Sequence, residues 1–347
     1  MMTAESQSSA GVPPAHARAI AETLAIYGLQ VIGTPIPVLD SVLNNNYRVD
    51  AGHSRLFVRV HKQNRTRERL ELEHRMITWA GAHAIPVNPP LADASGRTVH
   101  LSGGLLVAVF PWLEARTLAR GAIDAEQATL LGEMQGRIHS AFAAFEAPDL
   151  RRGGTGSTWD TEETALVLSR IDDLIRYYPA PGEEMRRLQP ELRFQLALVE
   201  SPEARPTSDF AGLAAQPVHG DYHERNVLLD DAGSIAAVVD WEMAGYLPPI
   251  FELLRAVDFC GLLSEPLLRA YLHGYARSAR LDPASVSPGV EMWWQSVLHD
   301  AWAYRLRFIR GDRRVDRFIV ETGERVRRLA DPEFRSWLNR TILNAIA

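Results

Sequence analysis

One cysteine, Cys260, stands in 347 residues. A lone cysteine excludes an internal disulfide and suits a reducing compartment, and it reads as a small buried apolar group rather than a catalytic thiol. No stretch approaches the roughly 18 uninterrupted apolar residues of a membrane span, and no heptad or fixed-period repeat is present. Positive charge is not in excess either: 37 Lys and Arg against 43 Asp and Glu leave a formal −6. That balance argues against a general nucleic-acid binder and leaves room for an acidic pocket facing a cationic acceptor. Residues 1–14, rich in Ser, Ala, Gly and Pro, lack the charged start and apolar core of a signal peptide and read as a disordered tail. The expectation is a soluble cytoplasmic enzyme with no membrane or nucleic-acid partner and an oligomeric state that no motif specifies.

What is present lies first in residues 218–242, V-H-G-D-Y-H-E-R-N-V-L-L-D-D-A-G-S-I-A-A-V-V-D-W-E. Asp221 and Asn226 are four residues apart, as in the kinase catalytic loop H-R-D-x-x-x-x-N, and an apolar hairpin carries the chain to Asp240. Phosphoryl transfer asks a protein to position reactants and neutralise charge more than to make covalent bonds, and these residue types fit that demand. Asp221 can orient an acceptor hydroxyl and take its proton, while Asn226 and Asp240 offer oxygens that suit magnesium. Residues 227–229 and 235–239 read as short strands around a turn at 230–233, which would return Asp240 beside Asn226. Each element alone is commonplace; the order and spacing together carry the reading. A metal-hydrolase reading of His219, Asp221 and His223 lacks the second His cluster that such sites need.

The signature H-G-D-x-H-x-x-N, here His219, Gly220, Asp221, His223 and Asn226, with the D-x-D/E at Asp240, Trp241 and Glu242, resembles the aminoglycoside phosphotransferase and choline kinase-like family. The resemblance covers roughly residues 31–254. It implies an α+β, two-lobed, protein-kinase-like fold, with an N-terminal antiparallel sheet lobe and a larger, mainly helical C-terminal lobe. It also implies ATP with Mg2+ and transfer of the gamma phosphate to a hydroxyl of a small-molecule acceptor.

Length and apolar content independently suit two cores. The expected division is a nucleotide-binding lobe over residues 15–110 and a helical lobe with catalytic loop and acceptor site over 111–347. The first lobe should open with a helix over 15–27, followed by strands at 47–49 and 56–60 around the turn 51–54. Residues 43–47, with Asn45 and Asn46, resemble the family's nucleotide loop, although consecutive Asn residues are also ordinary turn formers. Arg59 falls where the resemblance predicts the cation that clamps phosphates; a guanidinium can do that work, but is bulkier than a lysine. Glu73 on the next helix is the expected ion-pair partner, with Glu71 as competitor. The run 105–110 ends at Pro111 as a buried strand and plausible hinge, where the resemblance places adenine against residues 109–112, including Phe110 and Trp112.

In the second lobe, Asp124 and Gln127 form a capping-box pattern ahead of Leu131, Met134, Ile138 and Phe142 on one helix face. His139 near that helix's end reads as a structural histidine. Residues 152–158 are Gly-rich but lack a G-K-[ST] ending and read as a flexible connection. Glu162, Glu163, Asp172 and Asp173 could hold an amino-bearing acceptor, though solvated helix faces look the same. Glu252 replaces the family's usual Asp and is expected to hold backbone amides of the catalytic loop. The aromatic stretch 291–305 reads chiefly as core. The acceptor could be an aminoglycoside, an amino alcohol, homoserine or a sugar. The alternatives are a catalytically silent nucleotide-binding scaffold or a kinase acting on protein Ser/Thr.

Overall fold

The computed structural model describes residues 11–38, 45–62, 64–147, 150, 158–177 and 183–346. The expected tail up to residue 10, Leu43 and Asn44 of the Asn loop and residues 152–157 of the Gly-rich connection lie outside them. The chain divides into two compact units, Met1–Arg116 with Leu229–Glu242, and Thr117–Leu228 with Met243–Ala347. No helix among the described residues is long and apolar enough to cross a membrane.

The first unit begins with α1 (Pro14–Ile26), which starts on a proline whose missing amide would have no helical partner there. Strands β1 (Val31–Val38), β2 (Asn45–Ala51) and β3 (Ser54–Val60) follow, then α2 (Arg67–Ala82), β4 (His100–Ser102) and β5 (Leu105–Pro111). They form an antiparallel sheet ordered β1-β2-β3-β5-β4. Thr66 caps α2, its hydroxyl accepting from the Arg69 amide. Alternate residues of the central strands, Val49, Val58, Val60, Val107 and Val109, join Ala19, Ile20 and Leu24 of α1 in the core.

Two boundaries differ from expectation. β5 runs through Pro111, which pairs with Leu56, and the unit continues to Arg116. A proline can end a ladder by lacking a donor without ending the strand before itself. Leu229–Glu242 also returns to this unit, where the Val238 amide donates to the Pro86 carbonyl at 2.8 Å, so Asp240 belongs here rather than to the helical unit.

The chain passes between the units at β6 (Arg116–Thr117). The second unit holds α3 (Ala125–Phe142), α4 (Thr161–Tyr177), α5 (Glu183–Val199) and β7 (Gln216–Val218). β8 (Val227–Leu229) leads back to the first unit and its β9 (Ile235–Val238). Then come β10 (Gly245–Leu247), paired antiparallel with β7, and α6 (Pro249–Phe259), α7 (Glu265–Ala276), α8 (Pro283–Leu298), α9 (Trp302–Tyr304), α10 (Asp316–Ala330) and α11 (Pro332–Ile346). The expected capping box at Asp124 and Gln127 is formed in both directions. Helices α3 and α7 approach so closely that a Cβ on Gly132 would stand 2.0 Å from the Tyr271 carbonyl oxygen, which fixes glycine at that crossing. Trp293, Trp294 and Tyr304 are buried, as large apolar rings in a helical core should be.

Candidate active site

In the first unit, the β2–β3 register sets Asn46 opposite Arg59. Arg59 Nε donates to Asn46 Oδ1 at 3.2 Å, and Nη1 lies 3.6 Å from Glu73 Oε1 and 3.3 Å from Asp240 Oδ1. Arg59 and Glu73 are 8% and 3% exposed, so each charge depends on the other's company. Burial works against the Arg59 cation, but the carboxylates of Asp240, Glu73 and Glu242 hold its pKa above the ordinary value. Glu73 is pushed up to about 7, chiefly by burial, with Arg59 pulling the other way. The competitor Glu71 is exposed and lies 3.8 Å from Arg67. Glu73 is therefore the residue that meets Arg59.

Asp240 sits after β9 in left-handed backbone, φ +64°, a conformation that Asp tolerates better than most residues. Glu242 of the same D-x-E is held differently, its Oε2 2.9 Å from Arg65 Nη2. Its backbone carbonyl accepts from both Arg65 and Arg69 at 3.3 Å. Glu73 Oε2 and Asp240 Oδ1 are buried without a hydrogen bond of good geometry, the Arg59–Asp240 contact being an ion pair only. Oxygens left in this state suit an added cation, and a hard, carboxylate-bearing set of this kind fits magnesium.

The Asn loop differs from expectation. Asn45 and Asn46 open strand β2, paired with Val60 and Arg59, so pairing with β3 outweighs the turn preference of Asn. Asn46 orients the arginine through its side chain. The expected hinge also differs: the Trp112 amide donates to Arg55 O at 3.2 Å, Val109 O accepts from Leu91 N at 2.7 Å, and Pro111 O accepts from Asn88 Nδ2 at 3.0 Å. Phe110 is a core side chain packed edge-on to Phe57 and His74. In the same segment the Trp112 indole Nε1 is buried without a hydrogen-bond partner.

In the second unit, β7 delivers the chain to Gly220, φ +83°, where a Cβ would stand 2.0 Å from the Met243 carbonyl oxygen. The Gly220 amide donates to Glu252 Oε1, and Glu252 Oε2 lies 2.6 Å from His139 Nε2. His139 Nδ1 lies 2.8 Å from Tyr275 Oη, so this histidine is structural. Burial raises the Glu252 pKa, but His139, His219 and the Gly220 amide bring it below the usual value. Glu252 thus holds the loop that carries Asp221, through one amide.

Asp221 Oδ1 accepts from Arg255 Nη2 at 2.6 Å, and Oδ2 accepts from Asn226 Nδ2 at 3.2 Å. His223 Nε2 lies 3.4 Å from Oδ2. Burial pushes the carboxyl up, but Arg255 and His223 overcome it and hold it well below the carboxylate range. Asn226 Nδ2 also donates to the Asp221 carbonyl at 2.8 Å, and the Asn226 amide oxygen takes no hydrogen bond among the described residues. It is free to meet a metal.

Arg255 on α6 was not legible as a partner of Asp221; its only signal is a position three residues after Glu252, one helical turn along the same face. Of the acidic residues on α4, Asp172 is buried and meets Arg176, Gln189 and Arg193 at 2.7, 2.8 and 2.9 Å, while Glu163 makes a surface pair with Arg305 at 2.8 Å and Glu162 and Asp173 are exposed. No group of three or more His, Cys, Asp or Glu among the described residues is placed to hold a metal by itself. His219 Nδ1 instead accepts from the Asp221 amide at 3.2 Å, against the hydrolase reading.

A model of the phosphotransferase enzyme family matches residues 35–288. A homoserine kinase from Polaromonas naphthalenivorans (strain CJ2) is 27% identical over 274 residues, covering 74% of this chain and 79% of the relative. A homoserine kinase from Caulobacter sp. (strain K31) is 24% identical over 257 residues, covering 71% and 72%. Among solved structures, spectinomycin phosphotransferase APH(9)-Ia in complex with ADP and spectinomycin matches with a TM-score of 0.63 at 15% identity, over 92% of this chain and 96% of that one. The N-terminal antiparallel sheet and larger helical part are thus a kinase-like fold.

Proposed function

Because the chain belongs to the phosphotransferase enzyme family, we propose that Asp221, Asn226, Asp240, Arg59 and Glu73 carry an ATP- and magnesium-dependent transfer. The protein is a small-molecule kinase with an alcohol group as acceptor. Asp221 receives the acceptor hydroxyl on a carboxylate oxygen. As the oxygen–phosphorus bond forms and the bond to the ADP oxygen breaks, the hydroxyl proton passes to Asp221. A carboxylate held so far below its usual pKa is a weak base, which suits a transition state in which phosphoryl transfer leads and proton transfer follows.

Asn226 would offer its amide oxygen and Asp240 its carboxylate to a magnesium ion, which when bound would supply positive charge to the phosphates. Arg59 takes phosphate oxygens with its fork, and Glu73 and Asn46 keep that fork aimed. Trp112, through the free indole edge, and Phe110, through the strand it anchors, are the parts of residues 109–112 that support adenine.

The observation that carries this reading is the Asp221 carboxylate, kept ionised by Arg255 at 2.6 Å and steadied by Asn226 from its own loop. The test is ADP release by the full chain with Mg·ATP and a panel of amino alcohols, hydroxy acids, sugars and aminoglycosides. Acceptor-stimulated release that EDTA abolishes is expected. Nucleotide binding with no stimulation by any member would favour a silent scaffold instead.

A further inference from the structure

Beside Asp221, within the helical unit, two arginines share one aromatic ring. The guanidinium carbon of Arg255 lies 4.8 Å and that of Arg325 4.5 Å from the ring centroid of Phe259, with His223 of the catalytic loop 6.1 Å from the same ring. Arg255 reaches Asp221 with Nη2 and leaves Nε buried without a partner. Arg325 is 6% exposed, yet it makes only long contacts within its own helix, to Glu321 O at 3.3 Å and Thr322 Oγ1 at 3.5 Å, and no ion pair within 4.0 Å among the described residues.

The carboxylates around it are engaged elsewhere. Asp258 is bonded by Arg328 and by the Trp293 indole at 3.1 Å, and Glu321 by Arg120 at 2.8 Å. Asp300 feels both Arg325 and Arg255 but has its pKa raised, chiefly by burial, which weakens it as a counter-ion. A buried guanidinium without an anion is costly, and burial indeed lowers the Arg325 pKa below its usual value against the pull of Asp258, Asp300 and Glu321. Aromatic backing holds both forks in place without using their N–H donors.

We propose that Arg255 and Arg325 receive the carboxylate of the acceptor, so that the acceptor is a small hydroxy acid whose hydroxyl is thereby brought to Asp221. The inference rests on the reading of Asp221 as the base. Arg255 is then a specificity-determining residue that ties the acceptor's anionic end to the base itself, and Arg325 supplies the second fork from α10. A polycationic acceptor would bring like charge against both arginines and would be rejected.

The test uses the full chain with Mg·ATP and matched acceptor pairs that differ in the carboxylate: homoserine against 3-aminopropan-1-ol, serine against ethanolamine, and 4-hydroxybutyrate against butane-1,4-diol. The carboxylate-bearing member of at least one pair should have kcat/KM higher by about 100-fold or more, as expected when a site built for hydrogen bonding loses its partner. The amino and non-amino acids separate an amino-acid acceptor from a plain hydroxy acid. Arg325→Gln should raise KM for the acid by about 30-fold with kcat nearly kept and Mg·ATP affinity unchanged. Arg325→Lys, which keeps charge and volume, should recover part of it, and unchanged nucleotide affinity guards against a misfolded variant. Equal or better use of the members lacking a carboxylate, or no binding or turnover of any acid, would overturn the inference. If Asp221→Asn lost turnover of those other acceptors, the catalytic reading would stand while the carboxylate site fell.

Discussion

Arg59 Nη1 stands 3.3 Å from Asp240 Oδ1, so the arginine proposed to clamp phosphate and the aspartate proposed to hold metal neutralise each other. Both come from the unit built on the five-stranded sheet, although 180 residues of chain separate them and Asp240 returns to it only through Leu229–Glu242. A cation on Asp240 and phosphate on Arg59 would replace this pair in one exchange. Arg59→Lys keeps the charge but cannot span Asn46, Glu73 and Asp240. It is expected to raise KM for ATP by about 10-fold, and Asn46→Ala, which loses one hydrogen bond, by about 3- to 10-fold. Steady-state kinetics with varied ATP at saturating acceptor checks both; an unchanged KM in Arg59→Lys would separate Arg59 from the nucleotide.

Stability should depend on pH with two opposing slopes. Burial, with help from Arg59, lowers His61 to about 2 and His74 to about 4 from an ordinary 6.5. Below pH 6.5 the unfolded chain therefore binds protons that the folded chain refuses, and stability is lost as pH falls from 6.5 toward 4. Glu73 acts the other way: between 4.5 and about 7 the folded form keeps a proton that the unfolded form has released, so its contribution falls as pH rises. Two histidines against one carboxyl leave net acid lability, on the order of a few kcal/mol between pH 7 and 5. Urea midpoints at those two pH values should move further apart in Glu73→Gln and closer together in His74→Gln. Parallel shifts in all three proteins would contradict the assignment.

The Glu252 carboxylate joins the Gly220 amide to His139, and the loop around Asp221 hangs on it. Glu252→Gln replaces an acceptor oxygen with a donor in a dry site. It should lower kcat by about 10- to 100-fold with KM for ATP little changed, and cost about 1–3 kcal/mol of stability. Gly220→Ala combines a left-handed backbone with a Cβ 2.0 Å from a carbonyl oxygen and should be worse, about 3 kcal/mol or more. Chemical denaturation alongside kinetics separates the two effects.

The loop around Asp221 stood out in the sequence because phosphoryl transfer constrains both residue types and spacing, and Gly220, Asp221 and Asn226 can be read off in order. Arg59 and Glu73 were singled out by the family resemblance together with their places on a strand and the helix after it, and they do meet, at 3.6 Å. Asn45 and Asn46 were not, since local turn preference says nothing about the β3 strand that captures them. Nor was the hinge, because a ladder bond such as Trp112 N to Arg55 O depends on a register set 57 residues away. Arg255 reaches Asp221 across 34 residues, and no local pattern announces such a contact. The domain break was misplaced for the same reason: the return of Leu229–Glu242 to the sheet unit is a tertiary event.

The most direct test of the account is kcat of Asp221→Asn at saturating Mg·ATP and acceptor, with nucleotide affinity measured on the same protein. Asn keeps the shape of the side chain and removes its ability to take a proton, so kcat should fall by about 10²- to 10⁴-fold while Mg·ATP affinity stays within about threefold. A variant that still turns over within about threefold of the wild-type rate would contradict the account.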